Sequence, residues 1–239
     1  MILANSLIDG FLGSNFTGQL IVAVQLFGSV VMVATIFGKW GSLKTIYSAM
    51  RRFLRDFATS QDSLEYYITR RPSTVYGLEW IYKETSERLL KLLSPEIRAT
   101  LAGRRTDSTG AALTAREVEL VRGTCDHALE EELLRVEKGM PFIATIVALE
   151  PMLGLLGTVW GVLDAFAEMG SAGSANLATI APSISAALVT TVVGLLVAIP
   201  GTIFFNILNA RIRDISNDME GFSDELMGRI ACEYQGKGV

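Results

Sequence analysis

The stretch Met140-Pro-Phe-Ile-Ala-Thr-Ile-Val-Ala-Leu-Glu150-Pro151-Met-Leu-Gly154-Leu-Leu-Gly157-Thr158-Val-Trp160-Gly161-Val-Leu-Asp164-Ala-Phe-Ala167 decides the fold. It is apolar, carries no basic residue, and is long enough at about 1.5 Å per residue to cross a hydrocarbon core of about 30 Å. Turned at about 100° per residue, its side chains sort by chemistry. Glu150, Gly154, Gly157, Thr158, Gly161 and Asp164 share about a third of the circumference, with Ala165 among them. Leu155, Leu156, Val159 and Leu163 fall opposite, where lipid or another apolar helix would meet them. This reads as a membrane-spanning helix with one polar, small-residue stripe.

Two further apolar runs flank it. Residues 17–37 hold only Gln19 and Gln25 as strongly polar members, and the basic residues Lys39, Lys44, Arg51 and Arg52 follow that run rather than precede it. A cleavable signal peptide has the opposite order, so an uncleaved helix is expected. Residues 180–208 form the third run, longer than a bilayer requires and therefore expected to tilt or to extend beyond it. Here Ser183, Ala186, Ala187, Thr190, Thr191, Gly194, Ala198 and Gly201 gather on one face. Ile184, Leu188, Val192, Leu195, Leu196 and Ile199 gather on the other.

Composition agrees with a membrane protein. Half the 239 residues are hydrophobic, and Lys and Arg are absent from residues 1–38 and again from 139–210. The positive-inside rule then gives one topology. Residues 1–38 comprise an outside N-terminus and the first span, residues 39–139 a cytoplasmic helical region, and residues 140–167 the second span. Residues 168–179 form an outside loop, residues 180–208 the third span, and residues 209–239 a cytoplasmic C-terminal helix. The expected class is an all-α integral membrane protein with three transmembrane helices, the second and third extended into a cytoplasmic helical bundle.

Val118, Val121, Cys125, Leu129, Leu133 and Val136 recur at three- and four-residue spacing, as do Ile212, Ile215, Met219, Phe222, Leu226 and Ile230. The first stripe is expected to lead straight into the second span and to pack against the second stripe. Pro72, Pro95 and the segment 103–110 mark turns between shorter helices.

Several functions are excluded. The net charge of −4 is mild and by itself says nothing about nucleic acid, and no nucleic-acid partner is expected. No nucleophile–base pair, phosphate loop or metal cluster appears, so neither an enzyme nor a bound cofactor is expected. His127 is the only histidine, and Cys125 and Cys232 read as small apolar fillers rather than a disulfide.

The paired faces of the second and third spans admit two readings. Gly154, Gly157 and Gly161 make a small-residue ladder that lets membrane helices approach, and threonine hydroxyls can return to their own backbone. Alternatively, the faces line an ion path. An ionisable residue inside a span is costly and faces a cavity, a partner or an ion. Glu150 lies about 15 Å along the helix from Met140, deep enough for either an interfacial or a functional place. Asp164 is near the outer end, solvated or part of the path. Pro151 and Pro200 free backbone carbonyls, which a membrane tolerates where water or other groups satisfy them.

Gly154-Leu-Leu-Gly157-Thr158-Val-Trp160-Gly161, followed by Ala165-Phe166, resembles the second-span motif of the TolQ/ExbB family. Ala187-Leu-Val-Thr190-Thr191-Val-Val-Gly194-Leu, ending in Ala198-Ile-Pro200, resembles its third-span motif. The likeness is specific over residues 125–230 and architectural before them. Asn206-Ile-Leu-Asn209-Ala-Arg211-Ile is more similar to TolQ than to ExbB; MotA, with four spans, matches less well.

The resemblance implies a stator subunit of a proton-driven motor in the bacterial inner membrane, with its N-terminus periplasmic and its C-terminus cytoplasmic. A homopentamer would surround single-span partners of the TolR or ExbD type, whose membrane aspartate carries protons. Motion would pass to an envelope protein of the TolA or TonB type. Tol-Pal work on outer-membrane integrity and cell division is the leading expectation. Energising of TonB-dependent uptake, a gliding-motility stator, and a non-conducting membrane scaffold are the alternatives. The resemblance assigns Thr158 and Thr191 to the ion path, with Gly154, Gly157, Gly161, Thr190, Gly194 and Pro200 on the packing and pore face. Many relatives carry glutamate where this chain has Ala186. Ala186 lies about 7.5 Å outward of Thr191, and Asp164 lies about 9 Å outward of Thr158. If the threonines are level, Asp164 stands at the depth of the missing acid, with Glu150 toward the inner side.

Overall fold

The computed structural model describes residues 16–60, 62–70, 76–93, 113–172 and 177–234. Six helices account for nearly all of them. They are α1 (Phe16–Phe57), α2 (Glu65–Arg70), α3 (Leu78–Leu92), α4 (Ala115–Glu137), α5 (Met140–Ala172) and α6 (Leu177–Tyr234). No strand occurs among the described residues. Three helical stretches, in α1, α5 and α6, are long and apolar enough to cross a membrane. The chain is an all-α membrane protein. It divides into two compact units, one of residues up to Trp40 with Gly139–Asn209, the other of Gly41–Lys138 with residues from Ala210 onward.

The first unit is the apolar one. Its helices meet through small residues, because only these let backbones approach closely enough to gain packing where lipid supplies no hydrophobic drive. A Cβ added at Gly154 would sit 2.9 Å from Thr191 Cα, and one at Gly161 would sit 2.5 Å from Ala187 Cβ. Gly157 meets the Thr190 side chain, and Gly201 meets Met32, whose sulfur would be 2.7 Å from an added Cβ. The large apolar side chains point outward: Leu155, Leu156, Val159 and Leu163 of α5 and Leu188, Leu196 and Ile199 of α6 are all exposed. The inverted pattern suits a lipid-facing helix pair.

The second unit buries its apolar side chains in the ordinary way. Phe53 and Phe57 of α1, Tyr66 of α2, Tyr82 of α3 and Phe222 of α6 form an aromatic cluster with ring centroids 5.3–5.8 Å apart. The Tyr82 hydroxyl donates to Ser63 O at 2.7 Å and accepts from Tyr67 N at 2.9 Å. Burial pushes that phenol above its ordinary range. Thr114 starts α4 with a reciprocal cap: its hydroxyl accepts from Glu117 N at 3.3 Å, and the Glu117 carboxylate accepts from Thr114 N at 2.8 Å.

Two expectations change. In α4 the inward positions are Val118, Val121, Cys125, Ala128, Glu132 and Val136, so Leu129 and Leu133 sit half-buried beside a seam that has slipped by one residue. The slip holds because Glu132 finds partners inside: Gly77 N at 2.7 Å and Arg135 Nη1 at 2.7 Å. Nor does the stripe run straight into the second span. Lys138 leaves helical geometry (φ −50°, ψ 129°) and Gly139 adopts φ 90°, a left-handed value natural to glycine. Within the expected 168–179 connection, α5 continues to Ala172 and α6 starts at Leu177, and residues 173–176 lie outside the described residues. As its length led one to expect, the third apolar run extends beyond a bilayer, in one helix that continues to Tyr234. The expected turns at Pro72, Pro95 and 103–110 lie outside the described residues. Cys125 is buried and Cys232 exposed, both as free thiols.

Candidate ion-path site

Between residues 139 and 210 no Lys or Arg is available, so any polar group there must be satisfied by hydroxyls, amides and backbone. The structure does this around one carbonyl. Gly154 O accepts from Thr158 Oγ1 at 3.2 Å, Thr190 Oγ1 at 3.0 Å and Thr191 Oγ1 at 2.9 Å. Absence of a side chain at Gly154 lets α6 come near enough for its two hydroxyls to reach across. Thr158 Oγ1 also lies 3.1 Å from Ala187 O and is hydrogen-bonded directly to Thr191 Oγ1. Thr158 and Thr191 each have one hydroxyl proton and several acceptors, so this pair can exchange hydrogen-bond direction by rotation alone, whereas Thr190 donates only to backbone carbonyls. None of the three hydroxyls holds a charge.

The polar stripe expected from the sequence is divided. Thr158 and Thr191 are half-buried and open to the surface of the chain, whereas Thr190, Gly154, Gly157 and Gly194 are buried between helices. Pro200 is exposed on α6. Asp164 is half-buried and lines a small cavity of about 20 Å³ together with Ser183, Ala186 and Thr190. Asp164 and Ala186 therefore do share one level of the helix pair. Glu150 lies elsewhere. Its side chain is buried, 2% exposed, with Oε1 only 2.5 Å from where a Cβ on Gly28 of α1 would be. It is two turns, about 12 Å along α5, from Thr158 and turned toward α1.

The first helix is joined to both of the other apolar helices. Gln25 is wholly buried, and its Nε2 donates to Glu150 O at 3.1 Å and Thr190 O at 3.3 Å, tying α1 to both α5 and α6. Gly194 makes room for it, since a Cβ there would lie 2.7 Å from Gln25 Nε2. One glutamine in an apolar run, followed three residues later by Gly28, was the available signal in the sequence. Its two acceptors, far away in the chain, were not.

Comparison with known proteins decides the family. Residues 94–221 match the model of the MotA/TolQ/ExbB proton channel family. The chain belongs to that family. The Tol-Pal system protein TolQ of Haemophilus influenzae is 30% identical over 96% of both chains. TolQ of Pseudomonas aeruginosa is 39% identical over 41% of this chain and 42% of its own. The biopolymer transport protein ExbB of Neisseria gonorrhoeae is 27% identical over 77% of this chain and 76% of its own. Membership in the MotA/TolQ/ExbB family, with three apolar helices, makes this a multi-pass inner-membrane protein of the stator type and not an enzyme. Among the described residues no cluster of His, Cys, Asp and Glu could hold a metal ion.

Proposed function

We propose that this chain is the stator subunit of a proton-driven motor of the Tol-Pal type, coupling the proton motive force to envelope integrity and cell division. The observation that carries the reading is the half-open threonine pair, Thr158 with Thr191, on the apolar segments of α5 and α6 between residues 139 and 210, which hold no Lys or Arg. Likeness to a TolQ over nearly the whole chain favours the Tol-Pal assignment. An ExbB-like energising role is the second reading, favoured by the long match to an ExbB.

In this scheme the segment before α1 and the α5–α6 connection face the periplasm. Residues 39–139 and the end of α6 face the cytoplasm, where positive-inside counting puts their Lys and Arg. Five copies would enclose single-span partners of the TolR type, whose membrane aspartate takes protons from outside and releases them inside. Thr158 and Thr191 would line that passage. Asp164 would gather protons at the outer mouth, in place of an acid at Ala186. The partner would drive a TolA-type envelope protein. One charge moved through 100 mV yields about 2.3 kcal/mol, so ~150–200 mV yields roughly 3.5–4.6 kcal/mol per proton, several times thermal energy. Threonines do not titrate, so the charged carrier belongs to the partner.

The test replaces Thr158 and Thr191 with Val, which keeps volume and removes the hydroxyls. Membrane insertion and co-purification with the single-span partner should persist while detergent resistance of the cells is lost. Full resistance in the double variant would support a non-conducting scaffold instead.

A further inference from the structure

The junction of the three apolar helices contains a hydrogen-bond deficit that the threonine face does not explain. Gln25 Oε1 and Glu150 Oε2 are both buried, and neither has a hydrogen-bond partner among the described residues. Both are acceptors. The orientation of the Gln25 amide is fixed by two flanking carbonyls, Glu150 O and Thr190 O, which require the nitrogen on their side. Its oxygen must therefore point the other way. Gln25 and Gly28 are one turn apart on one face of α1, about 5–6 Å between Cβ positions. Gly28 is the residue against which the Glu150 carboxyl rests. The Glu150 carboxyl therefore rests one turn of α1 away from Gln25, and each residue carries a buried, unpaired oxygen.

What both oxygens lack is a donor. At Gly28 the carboxyl has the apolar Ile146 Cγ2 beside it, while Gln25 Nε2 and Gly194 border the backbone carbonyl of Glu150 rather than its carboxyl. A bare carboxylate held in hydrocarbon costs several kcal/mol, and an orphaned buried amide oxygen costs more on top. One proton answers both deficits: carried on Glu150, it turns an acceptor into a donor.

We propose that Glu150 and Gln25 form a proton-binding site inside the chain, at the seat of α1 and apart from the Thr158–Thr191 face. The Glu150 carboxylate takes up one proton from water and, as the acid, donates to Gln25 Oε1. Release returns the same proton and leaves the carboxylate. Gln25 is the positioning residue, since it also fixes α1 on both neighbours.

The experiment is difference infrared spectroscopy across a pH step on the full-length chain in lipid nanodiscs. A protonated-carboxyl band is expected that disappears in Glu150→Gln and shifts to that of a weaker hydrogen bond in Gln25→Leu. If Glu150→Gln does not insert, the Gln25→Leu shift decides alone. A band unchanged by both variants, or a chain with no such band, overturns the site. The measurement needs neither partner nor motor output, so the site stands or falls independently of the stator reading.

Discussion

The carboxylate of Glu132, in α4, accepts a hydrogen bond at 2.7 Å from the backbone N–H of Gly77, the residue that starts α3. Gly77 has no side chain to cap its own helix, and its φ of 76° is one that glycine adopts without strain. A residue on another helix supplies the cap. The arrangement places a negative group at the positive end of α3, and Arg135 Nη1 at 2.7 Å completes it.

Removing that cap is expected to loosen the start of α3. Glu132→Ala leaves the Gly77 N–H buried without a partner, a loss of ~1–3 kcal/mol. Amide exchange at Gly77 and Leu78, followed by mass spectrometry, should accelerate while exchange in α5 stays as in the parent. Equal acceleration throughout would contradict a local cap.

The same carboxyl makes a pH prediction. Burial, the dominant influence, holds Glu132 above the usual carboxylate range despite its Gly77 and Arg135 partners. In the interval between the ordinary value and the raised one, the folded protein binds more protons than the unfolded chain. Stability then falls as pH rises through that interval. Glu132→Gln cannot ionise, so its melting temperature should fall less over that rise than the parent's. Parallel melting curves would show that burial of Glu132 is not the source of the slope.

Gly157 tests how tightly α5 and α6 are fitted. An added Cβ would overlap the Thr190 side chain, which is itself held by hydrogen bonds to Gly154 O at 3.0 Å and Ala187 O at 2.7 Å. Gly157→Val should push the helices apart and cost ~1–3 kcal/mol, as overpacking does. Gly170→Val, where nothing lies within 4 Å, should cost little at that contact. Equal thermal stability for both variants in detergent would rule out close α5–α6 packing at Gly157.

Asp164→Asn keeps shape at the cavity shared with Ser183 and Ala186 while removing the charge. Motor output measured as detergent resistance should drop several-fold, with unchanged amounts of protein in the membrane. Unchanged output would remove Asp164 from the outer mouth. Glutamate restored by Ala186→Glu in the Asp164→Asn background should recover output, since the two positions line the same cavity.

Much of this protein was legible in the chain itself. Residues 140–167 and 180–208 are apolar and free of Lys and Arg, and hydrocarbon imposes that on any span, so membrane class followed before any contact was known. The seam Ile212, Ile215, Met219, Phe222, Leu226 and Ile230 is buried throughout, because an undisturbed period of 3.6 fixes a helix face. Glycine spacing on α5 correctly indicated close approach. Periodicity failed at Leu129 and Leu133, since it cannot know that a charged Glu132 has Gly77 and Arg135 waiting inside.

The sequence by itself determined the number of apolar helices, the outward faces of the second and third, and the family. Hydrophobicity and periodicity are local properties, and they carry that information along the chain. Only the tertiary structure decided which polar groups meet. It divided the stripe of α5 between a half-open threonine pair and a buried glutamate. It also drew Gln25 across 125 residues of sequence to the carbonyl of Glu150 and across 165 to that of Thr190. Hydrogen bonds are short-ranged and directional, so their partners are set by which backbones the glycines allow to touch.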